Sequence, residues 1–414
     1  MFVLMLSCSL AIICAQPVFA QAFSVIHSFT GGGDGYQPYA GVTIDQGGNL
    51  YGTTAEYTAE PPAGTVFQMK YKNGAWTLKT LKTFNIVGGG PLLPEGRVVF
   101  GPGGALYGVT FYGGQGFCTE LGCGSVYLLQ PQGNICSTFE CPWNVSQYSF
   151  LGPPHNDDGF EPSLVDPVFD AAGNMYGTTT EGGEYSGNVF MLVRSNGQWT
   201  STSIHNFTGT DGMYPQSGVT LDAQGNIYGT AWMGGPNGNG SVYKLTNTGG
   251  SWTEETLYGF PNSTDGHYPV GGLVFDHQGN LYGSTESGGA NGGGTVFELS
   301  PSGGGWNFSV IHTFATQGPG TGPLSTLAID SAGNLYGTTY ADGAFGDGNV
   351  FKLTRNNGGW TYTDLHDFTN GDDGGNPIGG VALDANSNLY GTTYGGGSPG
   401  HCNGPCGVVW EITQ

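Results

Sequence analysis

The chain reads as an all-β protein, a seven-bladed β-propeller of four-stranded blades whose last blade is completed by the N-terminal strand. Three observations predict this: a signature that recurs seven times, a composition of turn formers and aromatics with few charges, and two chain ends that match each other. The signature, Asn-Leu-Tyr-Gly-Thr-Thr in its commonest form, places tyrosines at Tyr51, Tyr107, Tyr176, Tyr228, Tyr282, Tyr336 and Tyr390. Repetition at this period marks stacked or circular repeat architectures. The intervals are near equal except between Tyr107 and Tyr176, where an insertion carries four cysteines. Of 414 residues, 79 are Gly and 23 Pro, a proportion that without a period would suggest disorder; aromatics at 13% and hydrophobics at 37% instead supply a core. Charged residues are only 10%, as suits a turn-rich β protein.

One unit predicts four strands. Gly271 to Asp276 is a short apolar run ended by Asp276-His277-Gln278-Gly279-Asn280. In that turn Asp bonds nearby backbone and Gly takes a positive φ, the chemistry of a tight hairpin. Leu281 to Thr285 is the second strand, and a glycine-rich loop leads to the third, Thr295 to Leu299. A turn from Pro301 to Gly305 precedes the fourth, Trp306 to Phe314. Seven such units describe a propeller. The seventh stops after its third strand, Val408 to Ile412, while Phe23-Ser24-Val25-Ile26-His27-Ser28-Phe29 at the other end matches Phe308 to Phe314. Three strands from one terminus and one from the other would close the ring and remove its open ends. A linear solenoid would instead need caps, which are not visible.

Residues 1–20 carry no charge and an apolar run ending in Val18-Phe19-Ala20, a small-residue cleavage pattern; they are expected to be a signal peptide, without the usual basic start. Ser7, Ser9, Gln16 and Pro17 interrupt the run, so a membrane span is not expected. Residues 21–414 then form one domain. Beyond Cys8 and Cys14, the cysteines fall in three close pairs: Cys118 with Cys123, Cys136 with Cys141, and Cys402 with Cys406. In an exported chain these suggest local disulfides; zinc is the competing reading, but no CxxC is present. The net charge of −22 argues against nucleic acid and anionic membranes as partners. A secreted or periplasmic monomer, with no membrane insertion after cleavage, is expected.

The unit resembles the GloVer tandem repeat of exported bacterial proteins. Its first half, Pro-x-x-Gly-Val-x-x-Asp-x-x-Gly-Asn-Leu-Tyr, is also similar to the NHL repeat of known propellers. The resemblance runs from Phe23 to Thr413 and implies an architecture but no activity. No C-terminal anchor of the kind many such proteins carry is expected, and the second unit has Gly101 in place of the turn Asp and Ala105 in place of Asn.

Propeller topology puts the second-to-third-strand loops and the blade-to-blade loops on one face, with the longest and most varied segments, where binding usually resides. Two residue sets stand out there. Asp-Gly-x-x-Pro occurs at Asp34, Asp158, Asp211, Asp265 and Asp373, and encloses Tyr36, Phe160 and Glu161, Met213 and Tyr214, and His267 and Tyr268. The second set lies four residues after each signature tyrosine: Ala55, Phe111, Thr180, Trp232, Glu286, Tyr340 and Tyr394. Phe111, Trp232, Tyr340 and Tyr394, with Tyr36, Tyr214 and Tyr268, would stack on sugar rings, while Asp211 and Asp265 would take hydroxyls. The competing reading makes the Asp set turn formers and the aromatics seals of blade edges.

A non-catalytic scaffold that binds glycan or an envelope protein is the leading expectation. The alternative is a polysaccharide-active hydrolase or lyase, for which Glu161, Glu181 and Glu286 are the carboxyls to inspect; a retaining pair would need them about 5 Å apart. No cofactor is expected. Calcium would be the ion to suit the acidic loops at 342–347 and 372–373, but neither has the spacing of a calcium loop. His27, His205, His312 and His366 recur on fourth strands, too far apart to share a metal, and are expected to pack between blades, as Tyr148 and Tyr258 do in the same place.

Overall fold

Seven four-stranded antiparallel sheets follow one another around a ring, with one additional two-stranded ribbon. The computed structural model describes residues 21–55, 63–85, 88–116, 118–131, 143–152, 158–182, 186–261, 264–315, 320–397, 402 and 406–414. The expected signal segment lies outside these, and so do Cys136 and Cys141. Blades one to six span 43–83, 99–149, 168–206, 220–259, 274–313 and 328–367; the seventh takes 382–413 and 22–28. In that last blade Ala22–Ser28 pairs antiparallel with Val408–Thr413, setting Val25 opposite Trp410 and Phe23 opposite Ile412. The closure predicted from the two termini is the closure found.

Within each blade the second strand is buried on both faces, because blades stack against each other and leave neither side to solvent. The glycine after each signature tyrosine makes room for the third-strand aromatic: a Cβ at Gly283 would fall on the Phe297 ring, and one at Gly391 on Trp410. The core is accordingly divided into seven apolar clusters, one at each blade boundary. Between blades four and five, Tyr228 and Val242 from one side meet Phe297, Leu281 and Leu299 from the other.

On one face the Asp-x-x-Gly-Asn hairpins form a repeated network. Asp276 Oδ1 accepts from the backbone N–H groups of Gln278 at 2.8 Å and Asn280 at 2.9 Å; Oδ2 accepts from Asn280 Nδ2 at 2.8 Å and Tyr282 OH at 3.0 Å. Asp45, Asp170, Asp222, Asp330 and Asp384 repeat the pattern. Burial pushes Asp170, Asp222, Asp276 and Asp330 up, but the hydrogen bonds outweigh it and hold them below the ordinary carboxylate value. Blade two, with Gly101 and Ala105, replaces the network by a single 3-10 turn over Pro102–Gly104.

Two strands depart from expectation. The innermost strand of blade five was predicted over Gly271 to Asp276, yet only Val274–Phe275 pairs. The preceding residues bond across blades instead: Thr230 Oγ1 donates to the Gly271 carbonyl at 3.1 Å, and a Cβ at Gly271 would strike the Ser325 carbonyl. The fourth strands carry a bulge in register, opposite Val296/Phe297 in blade five and at the matching place in blades one, three, four, six and seven. A bulge adds one residue and bends the strand.

Trp410 is fully buried and is the third-strand aromatic of the closing blade. Trp410→Ala is expected to cost about 3–5 kcal/mol, measured by chemical denaturation. The four hairpin aspartates, lowered in the folded state, contribute stability that is present above the unfolded value of 3.8 and lost as pH falls below it. The melting temperature is therefore expected to drop in that acid range, and Asp276→Asn to shrink the drop.

Candidate functional site

The opposite, loop-bearing face is held by a backbone latch repeated at every blade. The residue before each loop proline donates its N–H to the preceding blade: Glu161 to the Cys123 carbonyl at 2.9 Å, Tyr214 to Ser186 at 2.8 Å, Tyr268 to Asn239 at 2.9 Å. Its own carbonyl accepts from the residue four past the signature tyrosine: Thr180 to Glu161 at 3.2 Å, Trp232 to Tyr214 at 3.3 Å, Glu286 to Tyr268 at 3.1 Å, Tyr394 to Asn376 at 3.3 Å. Gln37, Leu93, Glu161, Tyr214, Tyr268 and Asn376 adopt the left-handed conformation at this point, with φ between 51° and 60°. That conformation is unusual outside glycine. Here both peptide groups are tied, and the two residue sets singled out in the sequence become neighbours.

The Asp-Gly carboxylates are engaged within their own loops. Asp211 Oδ2 lies 3.0 Å from His205 Nε2, and Oδ1 accepts from Thr208 N at 2.9 Å and Thr208 Oγ1 at 3.0 Å. Asp34 and Asp373 do the same with His27 and Thr30, and with His366 and Thr369. Asp265 accepts from Tyr258 OH at 2.5 Å and Asp158 from Tyr148 OH. Two of the recurrent histidines pack between blades as well: His366 stacks on Phe23 with ring centres 3.6 Å apart, and His312 on Tyr362 at 4.3 Å, while His27 and His205 meet Phe29 and Phe207 of their own segments. Burial lowers His205 and His366 while Asp211 and Asp373 oppose it.

The aromatic positions are half-buried and form three groups around the rim. Trp232 and Tyr268 sit with ring centres 5.6 Å apart, beside Glu286, whose carboxyl burial pushes up and the Trp232 indole pulls down. The indole N–H is buried and does not close a well-formed hydrogen bond. Tyr394 meets Tyr39 edge-on at 5.2 Å and shares its surroundings with Tyr340; burial and those two neighbours push the Tyr39 hydroxyl up. Phe111 meets Tyr112 at 4.6 Å. Tyr36 differs from these: it is packed against the buried cluster between blades seven and one. Tyr214 is half-buried beside Trp232 through the latch.

Two of the three inspected glutamates come together. Glu161 is pushed up by burial and by Glu181, whose neighbour across an isolated bridge is Phe160. Glu286 belongs to the Trp232 group. Sequence reasoning missed Glu95, which is 3% exposed. It follows Pro94, in the position held by Tyr39, Ser163, Gln216, Val270, Leu324 and Ile378 in the other units. Burial pushes its carboxyl up to about 8; Glu161 adds to this, and the Ser163 hydroxyl, donating to Oε2 at 2.9 Å, opposes it. Blade two lacks the Asp-Gly motif, but the residues after the loop prolines, aligned across the units, show its lone acid.

Glu95 and Tyr39 line the central channel with Leu164, Val270, Leu324 and Ile378; its free space is about 30 Å³, room for a few waters. Backbones close it: a Cβ at Gly41 would strike the Gly380 carbonyl, and one at Gly96 the Val165 carbonyl. Hydroxyls from Thr53, Thr178, Thr230, Thr338 and Thr392 tie five second strands to the next blade at 2.7–3.3 Å, and Ser284 does so in blade five at 3.5 Å. Blade two has Val109 there and is joined to blade three by Arg97, which donates to Asp166 through Nε at 2.8 Å and a terminal nitrogen at 2.6 Å.

Disulfides join Cys118 to Cys123 and Cys402 to Cys406, both in second-to-third-strand loops of this face, and fit an oxidising compartment. Of the three expected pairs these two are formed. The third, Cys136 with Cys141, differs in that both of its cysteines fall between the third and fourth strands of blade two, in 132–142, outside the described residues. Among the described residues no three His, Cys, Asp or Glu side chains gather as metal ligands, and no helix is long and apolar enough to cross a membrane.

The model of the Gloeobacter/Verrucomicrobia repeat matches residues 132–328 and 278–414. None of the curated proteins matches the chain. Among solved structures, an ancestral GH74 enzyme is similar at 15% identity and a TM-score of 0.57, over 92% of this chain and 48% of that one. PorZ, a surface component of the type-IX secretion system of Porphyromonas gingivalis, is similar at 14% identity and 0.52, over 88% and 46%. The chain thus spans about half the length of each, and at these identities the likeness shows the fold alone.

Glu95, raised in the folded state, contributes stability that is complete below the unfolded value of 4.5 and lost as pH rises toward about 8. The melting temperature is expected to fall across that window, and Glu95→Gln to flatten the fall; an unchanged profile in the variant would assign it elsewhere.

Proposed function

Because the chain belongs to the Gloeobacter/Verrucomicrobia repeat family, whose repeat prescribes an architecture rather than a chemistry, we propose that it is an exported, non-catalytic binding scaffold. It acts as a monomer outside the cytoplasm and engages glycan, or a glycan-bearing envelope protein, through the loop face. The observation that carries this is the latch. It holds Trp232 with Tyr268, Tyr394 with Tyr39 near Tyr340, and Phe111 on the rim, each of them half-buried. Rings held in this way lose little freedom when a sugar stacks on them.

A second reading, a polysaccharide-active hydrolase or lyase, draws on Glu95 and Glu161, two neighbouring carboxyls that are both raised. Burial speaks against Glu95 as its acid, since a channel of about 30 Å³ admits no sugar ring. Neither the GH74 nor the PorZ likeness carries a role to this chain.

On a glycan array the mature chain is expected to bind, and Trp232→Ala to weaken binding about tenfold or more while melting like the parent. Binding indifferent to Trp232→Ala would overturn the rim as the site. Release of reducing ends from a bound polysaccharide, abolished by Glu161→Gln, would favour the enzyme.

A further inference from the structure

On the hairpin face, each signature tyrosine meets the innermost strand of the next blade. The partner is a phenylalanine at three boundaries, with ring centres 4.8–5.1 Å apart in Tyr51–Phe100, Tyr107–Phe169 and Tyr228–Phe275. At the boundary between blades five and six the same position is Ile329. There a cavity of about 370 Å³ opens, lined by Phe275, Asp276, Tyr282, Ile329, Asp330 and Arg355 among others. Beyond Arg355 lies a second cavity of about 390 Å³, whose lining includes Glu298, Val310, Ile311 and Trp360. Arg355 lines both, so the two cavities flank its side chain as a divided trough along the blade boundary.

The Arg355 guanidinium lies over the Trp360 ring, 5.6 Å from its centre. Its polar contacts all run through Nη1, which donates to Tyr282 OH at 3.2 Å and lies 3.4 Å from Glu298 Oε1 and 4.0 Å from Asp276 Oδ2. Nε and Nη2 have no hydrogen bond among the described residues, and the side chain is 49% exposed. An open guanidinium edge ordinarily attracts an oxyanion. Here Glu298 and Asp276 already offset its charge, Asp330 adds another carboxylate, and the whole chain is strongly acidic, so an anion gains little. What remains is the open Nε and Nη2 edge of Arg355 beside the partly exposed side chains of Phe275 and Ile329. Uncharged hydroxyls and the C–H faces of sugar rings match that combination.

We infer that the trough between blades five and six binds a neutral linear oligosaccharide. Arg355 donates to its hydroxyls at the junction of the two cavities, and the site is separate from the loop-face rim. Calorimetric titration of the mature chain with xylo- or cello-oligosaccharides, and with an oligogalacturonate of equal length, tests it. A neutral chain should bind, and Arg355→Gln should weaken it about tenfold or more. Ile329→Phe, which fills the floor as Phe275 does at the preceding boundary and keeps the Arg355 contacts, should weaken it as well. In the Trp232→Ala background, which removes the rim's contribution, binding of the neutral chain should persist and should still be weakened by Arg355→Gln. No binding by either neutral chain, tighter binding of the uronate, or indifference to both trough variants would overturn the assignment. So would competition by a peptide that pairs with the exposed edge of Ser309–Ile311.

Discussion

The ring rests on one antiparallel edge, Ala22–Ser28 against Val408–Thr413. A blade on its own is a small sheet that buries little; its apolar surface is covered only by the blades on either side. With the terminal strands paired, every boundary has two walls, including the one where Phe23 and Trp410 face Phe368 and His366. The last boundary is made from residues at opposite ends of the chain, so completing it depends on contacts of the greatest sequence separation. Such contacts are entropically costly to form.

Around that closure the molecule separates frame from display. The hairpin face repeats an Asp–Asn–Tyr network that changes little from unit to unit, and the axis is sealed by backbone groups in contact. Side chains vary at the positions on either side of the latch, and at the third-strand position opposite the fourth-strand Trp, which is Arg355 at the trough, Arg194 in blade three, and Tyr71, Asn247 and Pro301 elsewhere. Blade two departs at several points together. It lacks the hairpin Asp, the Asp-Gly loop motif and the second-strand hydroxyl, and it supplies Glu95 and Arg97 near the axis.

Local rules made the frame legible. Asp276, Gly279, Asn280 and Tyr282 lie within seven residues of one another, so their hydrogen bonds follow from spacing. The terminal match needed only the likeness of Phe23–Phe29 to Phe308–Phe314. The innermost strand was overextended because an apolar run looks the same whether its peptide groups bond within a sheet or, as at Gly271, across to another blade. The site was less legible for a similar reason. Glu95 is buried because the ring axis passes beside it, and Arg355 owes its surroundings to Tyr282 and Glu298 on the neighbouring blade. Neither neighbourhood exists until successive blades pack side by side. The Asp-Gly motif misled in the opposite direction: its regularity drew attention to Asp211 and Asp265, whose carboxylates turn out to brace the outer strands.

The latch ties the rim through peptide groups alone, at positions occupied by Gln37, Leu93, Glu161, Tyr214, Tyr268 and Asn376. Since neither bond asks anything of the side chain, these sites can drift in identity without disturbing the scaffold beneath. Descendants of one such ring could thus diversify what they recognise, blade by blade, much as an interchangeable set of heads fits a common handle.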